Sequence, residues 1–127
     1  MAKKIFTFKG KTIEELQSLS LVELAPLLNS AARRKIKRGF SPSEQAFLKR
    51  LVKKGDNVRT HCRDMIILPA MVNKVIAVHK GSTFEDVRIT PEMIGYRLGE
   101  FVPTRKKVVH GAMGLGASRS SANAERK

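Results

Sequence analysis

The spacing of apolar residues divides the first third of the chain into short amphipathic segments. Residues 12–15 and 20–23 spell T-x-x-E and S-x-x-E, which are capping boxes in which each side chain binds the other residue's backbone N–H. Leucine and isoleucine follow each box at helical spacing. Pro26 is expected to bend or restart the second helix. A third helix is predicted over 30–38, with Gly39 as its stop signal.

The clearest helix start lies at residues 41–44. The sequence S-P-S-E puts serine at the N-cap, proline at the first helical position and glutamate at the third. We therefore predict a helix from Pro42 to Lys54, ended by Gly55. One face of this helix is apolar and consists of Phe47, Leu48, Leu51 and Val52. Its other side and its last turn are basic and carry Lys49, Arg50, Lys53 and Lys54.

Beyond Asn57 the apolar pattern becomes that of strands. Residues 58–61 predict a short strand, and residues 74–80 and 83–89 are two β-rich runs joined at Gly81-Ser82, which predicts a hairpin. Between them, residues 66–72 predict a buried turn or a short helix broken at a proline.

The remaining segments lie before the first helix and after the hairpin. A last helix is predicted to begin at Thr90-Pro91-Glu92 and to end near Gly99, with an apolar side of Met93, Ile94 and Leu98. Residues 3–8 are expected to form a basic arm. From Gly111 onward the residues are small and polar, so we expect a tail that stays disordered unless a partner binds it.

Composition adds a strong positive charge to this pattern. The 127 residues carry 25 Lys and Arg against 11 Asp and Glu, so the net charge is +14 and the size suits one domain with arms. Such a charge predicts a polyanionic partner, with nucleic acid favoured over an anionic membrane. The net charge is +7 over residues 1–50, +2 over 51–100 and +5 over 101–127, so the excess lies on the flanks.

Other sequence features argue against membrane insertion and secretion. The longest apolar run, residues 65–72, contains a proline and is far shorter than a membrane-spanning helix. The N-terminus has no apolar stretch of the kind found in secretory signals. Cys62 is the single cysteine, which excludes an intramolecular disulfide. We therefore expect a soluble, intracellular protein in a reducing compartment, with nucleic acid rather than a membrane as its partner.

The basic residues are densest in two runs, 33–38 and 105–107, which suit the closely spaced phosphates of RNA. Six Phe, one Tyr and no Trp argue against a base-stacking surface of the RNA recognition motif or OB type, so we predict recognition by shape and phosphate. We expect the following side chains to contact RNA: Arg33, Arg34, Lys35, Lys37, Arg38, Lys53, Lys54, Arg59, Arg63, Arg105, Lys106, Lys107, His110 and Arg119.

The three histidines give only weak support for a zinc site or for a ribonuclease active site. Zinc sites usually take two closely spaced ligand pairs, whereas Cys62 has only His61 beside it, with His79 and His110 further on. A small basic ribonuclease would use two histidines with a lysine or a carboxylate such as Glu100, but nothing in the spacing favours this. The chain contains no phosphate-binding loop, dinucleotide fingerprint or nucleophile elbow. We therefore predict no catalytic residue, no metal site and no cofactor.

A DNA-reading helix-turn-helix is a further alternative. Helices at 30–38 and 42–54, joined at residues 39–41, match its outline. The second helix, however, has Gln45 as its only amide, and its polar side is mostly lysine and arginine. The chain also lacks an apolar stripe for dimerisation, so we expect it not to form a homo-oligomer.

Residues 59–111 carry motifs that are more specific than any of these patterns. This stretch resembles the uS19 family of small-subunit ribosomal proteins, with the family's spacing of Gly81, Ile89, Ile94-Gly95, Leu98-Gly99-Glu100-Phe101 and Thr104. The forms T-H-C-R-D-M-I-I-L-P and R-R-K-I-K-R-G-F resemble the archaeal and eukaryotic branch, and the short length favours an archaeal member. Two positions depart from the family: Asn73 replaces the usual glycine, and Lys80 replaces a small polar residue.

The resemblance implies a fold, a partner and a role. The fold is a small α+β domain with a three-stranded sheet and packed helices, here with an N-terminal helical region at 1–56, the uS19 core at 57–110 and a basic tail at 111–127. The role is that of a non-catalytic constituent of the small ribosomal subunit, which binds rRNA in the head (3′ major domain). Its neighbours would be the uS13 ribosomal protein and, through the tail, A-site tRNA near the decoding region.

Overall fold

Four α-helices occupy the first half of the chain. The computed structural model describes residues 5–111 and contains α1 (Ile13–Ser18), α2 (Leu21–Leu24), α3 (Ser30–Arg38) and α4 (Pro42–Lys54). A 3-10 turn at Ala25–Leu27 continues α2, so the predicted effect of Pro26 is a change from α to 3-10 geometry. Residues 1–4, the start of the predicted arm, lie outside the described part of the chain.

The helix boundaries follow from their caps. All three predicted capping boxes are confirmed: the backbone N–H groups of Thr12, Ser20 and Ser41 donate at 2.9 Å to the carboxylates of Glu15, Glu23 and Glu44. Gly39 and Gly55 end the last two helices with φ of 85° and 80°, a backbone conformation that would strain a side chain. The sequence therefore predicted both ends of α4 correctly.

A small mixed sheet follows the helices. Its strands are β1 (Val58–Thr60), β2 (Val75–His79) and β3 (Phe84–Arg88), in the order β1-β2-β3. The predicted hairpin is confirmed as the antiparallel pair β2–β3, whereas β1 pairs with β2 in parallel. A parallel pair needs a crossover, and residues 61–74 supply it with a 3-10 turn at Pro69–Met71 rather than an α-helix. The predicted break at Pro69 is thus the start of that turn.

The predicted last helix is wrong. Residues 90–101 instead contain 3-10 turns at Pro91–Met93 and Leu98–Phe101, with Gly95 between them at φ 88°. The backbone between these turns bonds partly within 90–101, where the Tyr96 N–H donates to the Met93 carbonyl at 3.1 Å, and partly to the crossover. The Ile67 N–H donates to the Tyr96 carbonyl at 2.8 Å, and the Gly95 N–H donates to the Ile67 carbonyl at 3.1 Å. The apolar side chains of residues 90–101 keep a helical spacing and still reach the core. The segment does not form an α-helix, because several of its backbone N–H groups donate to carbonyls of the crossover.

One apolar core unites the helices and the sheet. It includes Leu16, Leu24, Leu28, Phe47, Leu51, Met65, Ile66, Ile67, Ile76, Val78, Ile94 and Leu98. The helical region before residue 56 thus packs in the same cluster as the sheet that follows it. The described residues confirm the predicted α+β fold with a three-stranded sheet, and the tail from 112 to 127 lies outside them.

Candidate nucleic-acid interface

A basic concavity lies where α4 ends and β1 begins. This α4 groove has a volume of about 730 Å³ and is lined by Arg50, Lys53, Lys54, Asn57, Val58 and Arg59. Four of these six residues are cationic and none is acidic. The cations are exposed, and the three on α4 lie on one face because they are three and four positions apart. The three cations on α4 can therefore meet phosphates without first breaking an ion pair or a hydrogen bond within residues 5–111.

A second basic concavity lies between α3 and α4. This α3 groove has a volume of about 400 Å³, and its charged lining consists of Arg34, Lys35, Arg38, Glu44 and Arg97. Arg34 and Arg38 lie one turn apart on α3 and make no ion pair with residues 5–111. Arg97 is 3.5 Å from the exposed carboxylate of Asp64, an ion pair that solvent screens.

Lys35 has a partner inside the protein. Its ammonium forms an ion pair with the carboxylate of Glu44 and donates to the Asp64 carbonyl at 2.8 Å. Glu44 is buried, and burial by itself would raise its pKa, but the hydrogen bond from Lys35, the backbone N–H of Ser41 and the Lys35 charge together lower the pKa. The Lys35 ammonium thus neutralises a buried carboxylate, and its predicted contact with RNA stays a prediction.

Arg33 also binds within the protein. Its guanidinium donates to the backbone carbonyls of Ala25, Pro26 and Leu28 at 3.3–3.4 Å. These carbonyls lie within the 3-10 turn and directly after it, and the Ala25 carbonyl also accepts the Leu28 N–H at 3.2 Å. Within the run 33–38, Arg34, Lys37 and Arg38 are therefore the cations that face solvent without such a bond among the described residues.

Arg63 is the most internally bound of the predicted RNA contacts. Its guanidinium is half-buried and donates to the carbonyls of His79 at 2.6 Å, Gly99 at 2.9 Å and Val102 at 2.5 Å. These bonds join the crossover, the end of β2 and the segment after the last 3-10 turn. The geometry gives Arg63 a structural role, and its contact with RNA stays a prediction.

The last predicted contacts follow Val102 in an extended segment. Arg105, Lys106, Lys107 and His110 are all exposed, and no hydrogen bond or ion pair joins their side chains to the rest of residues 5–111. Arg119 lies outside the described residues. The 105–107 run therefore presents three cations to solvent beside a folded domain.

The outer face of the sheet brings together aromatic rings that are far apart in sequence. The His61 and His79 ring centroids lie 4.4 Å apart, and each lies 5.1 Å from the Phe84 ring. The Arg59 guanidinium lies over Phe84, 5.4 Å from its centroid. Two imidazoles in such close contact leave no room for a phosphate between them, so this pair does not have the geometry of a two-histidine ribonuclease.

Other functional groups are not assembled in the described part of the chain. Among residues 5–111, no three His, Cys, Asp or Glu side chains lie close enough to hold a metal ion. The Glu100 carboxylate, considered above as a catalytic partner, accepts the Arg97 N–H at 3.1 Å and caps a turn. No helix between residues 5 and 111 has the length and apolar composition to cross a bilayer.

Sequence reasoning missed two cations of the grooves. Arg50 could have been found, because it precedes Lys53 and Lys54 by one helical turn and must share their face. Arg97 gave no such signal, since it reaches the α3 groove through the irregular segment that was mistaken for a helix.

A small α+β domain with two cationic grooves and an exposed basic segment is suited to a polyanion rather than to a small neutral substrate. The sequence matches the family model of ribosomal protein S19 over residues 34–110, which is more than half of the chain. The protein therefore belongs to the ribosomal protein S19 family, which makes it a small-subunit ribosomal protein that acts in translation. The match includes α4, the whole sheet and most of α3.

Proposed function

We propose that the protein binds rRNA in the head of the small subunit, the 3′ major domain, as a structural and non-catalytic constituent. The observation that carries this proposal is the α4 groove, whose four exposed cations meet no acidic residue in its lining. Phosphates entering the groove release counterions and gain closely spaced positive partners. The α3 groove and the 105–107 run extend the same chemistry over the surface.

The three parts of the chain take different roles in this proposal. The helical region 1–56 and the core 57–110 hold the two grooves in place through their common apolar core. Residues 111–127 reach towards the decoding region and A-site tRNA, and the uS13 ribosomal protein lies beside the folded part. The family resemblance supports these neighbours, as it supports the assignment to the archaeal branch and to cytoplasmic ribosomes.

The test removes charge from the α4 groove alone. The variant Arg50→Gln/Lys53→Gln/Lys54→Gln should bind an rRNA fragment of the head domain more weakly and assemble less well into small subunits, because three phosphate partners are lost. Filter binding and co-sedimentation on a sucrose gradient measure the two effects.

A control variant carries the same change in net charge outside both grooves. Lys9→Gln/Lys11→Gln/Lys49→Gln removes three cations that line neither basic groove. Equal losses in the two variants would show that only net charge matters and would contradict a role for the groove.

A further inference from the structure

The outer face of the sheet carries side chains that the apolar core does not use. The register aligns Arg59 with Ala77 and Ala77 with Asp86, and it aligns His79 with Phe84. Because side chains alternate between the two faces of a strand, these residues and His61 point away from the buried Val58, Ile76 and Val78. His61 and Arg59 are exposed, while His79 and Phe84 are half-buried.

The geometry points to an unpaired RNA base as the ligand of this face, stacked on the platform formed by His61, His79 and Phe84. Such a contact rests on the proposed rRNA binding and adds a base-recognition subsite to it. Planar rings on an open sheet are the surface that unpaired bases use, because every base has a π-face that an aromatic side chain can cover. The ring centroids lie within 4.4–5.1 Å of one another, with Phe84 edge-on to both imidazoles at 82° and 68°, so a base can cover one ring face while its edge contacts a neighbouring ring.

Arg59 links the platform to the phosphate-binding surface. Its side chain lines the α4 groove, and its guanidinium lies 5.4 Å from the Phe84 centroid. An RNA strand whose phosphates occupy the groove would pass Arg59 and could turn one base onto the rings. Charge also favours an RNA base over an apolar peptide here, since the face adjoins four cations on a chain of net charge +14.

The platform differs from what composition alone suggests. Few aromatic residues argue against a broad stacking surface, and this one is small, with a single phenyl ring supplemented by two imidazoles. The pairing of Phe84 with His79 across β2–β3 assembles it, together with His61 from the end of β1. One base, rather than a run of bases, fits a surface of this size.

The test compares two probes that carry equal phosphate charge. One is a short oligoadenylate, and the other is an abasic oligoribose phosphate of the same length. We expect the wild-type protein to bind oligoadenylate more tightly, by roughly 5- to 150-fold for one stacked base. Phe84→Leu should remove most of this preference while leaving the affinity for the abasic probe nearly unchanged, because Arg59 is the one groove cation that packs on Phe84 and the other three stay in place.

Two further variants serve as a control and as a second test of the platform. Tyr96→Leu is the control, since Tyr96 is an exposed aromatic residue in edge contact with a phenylalanine but lies outside the platform. It should retain the preference. His61→Ala changes an exposed ring at the end of β1 and serves as the test if Phe84→Leu does not fold by circular dichroism.

The outcomes separate this inference from the proposed function. Equal wild-type affinity for the two probes would overturn the platform and leave phosphate binding intact. A preference that survives both Phe84→Leu and His61→Ala, or that Tyr96→Leu removes equally, would also overturn it. Failure of the wild-type protein to bind either probe at low salt would contradict the proposed function itself.

Discussion

The residue types at two positions, one in the family signature and one that departs from the family, can be explained by local backbone geometry. A Cβ added to Gly99 would lie 3.0 Å from the Arg63 Cβ and 3.1 Å from the Arg63 carbonyl, so the absence of a side chain there lets the two backbone segments bond. Asn73 has φ 67°, a left-handed conformation that asparagine tolerates better than most residues. A left-handed backbone also suits the glycine that is usual at this position in the family, so the substitution by asparagine has a local explanation.

The Lys35–Glu44 pair gives a prediction at this scale. Glu44→Gln keeps an acceptor for the Ser41 N–H but loses the ion pair with Lys35, and we expect a loss of about 1–3 kcal/mol in the free energy of unfolding at neutral pH. Because the pKa of Glu44 is lowered by folding, its contribution is present above the unfolded pKa and disappears as pH falls through the folded pKa.

In urea titrations the stability difference between wild type and Glu44→Gln should therefore shrink as pH falls below the ordinary glutamate pKa of about 4.3. Glu14→Gln is the control, since it removes an exposed carboxylate in the first turn of α1. A difference that stays constant as pH falls would contradict the assigned pairing.

At the scale of elements, local signals predicted more than non-local ones. The capping boxes and stop glycines predicted the helices, and alternating β-branched residues around Gly81-Ser82 predicted the hairpin, because these signals act within a few residues. The parallel pairing of β1 and the irregular segment 90–101 depend on bonds to residues 65–67 and 75–79, which no local pattern encodes. The two missed groove cations show the same difference, since the helical period could have given Arg50 but no local signal could have given Arg97.

Helix α3 supplies a second prediction, in which neighbouring arginines should behave differently. Arg34→Gln/Lys37→Gln/Arg38→Gln should weaken binding to the head-domain rRNA fragment and leave the unfolding midpoint nearly unchanged, because these cations face solvent. Arg33→Gln should lower the free energy of unfolding by about 1 kcal/mol, since it breaks bonds to the carbonyls of residues 25–28.

Thermal unfolding and filter binding of the two α3 variants separate these roles. If the triple variant unfolds much earlier than wild type, the three cations have a structural function that the contacts do not reveal. If it binds the rRNA fragment as tightly as wild type, that part of α3 is only a solvated face.

For the whole molecule, the arrangement of charge predicts a strong dependence on salt. Arg33, Lys35 and Arg63 bind internally, so among residues 5–111 the expected phosphate partners are the free cations of the two grooves and of the 105–107 run. With about 6–10 phosphates neutralised, affinity for the head-domain rRNA should fall by roughly 10³–10⁵ between about 50 and 200 mM monovalent salt. Filter binding at fixed magnesium measures this slope, because divalent ions also fold the RNA. A nearly flat dependence would exclude counterion release as the main driving force.

The three bonds of Arg63 also determine where the C-terminal cations can go. They hold the Val102 carbonyl against the crossover, and Arg105 follows only three residues later. A fully extended chain covers at most about 3.6 Å per residue, so the Arg105 backbone stays within about 11 Å of this anchor. Arg105, the first cation of the exposed segment, therefore stays close to the sheet and has a high effective concentration for a phosphate bound there. Its contribution to binding should come from this confinement as much as from its charge, and lengthening the segment between Val102 and Arg105 would dilute it.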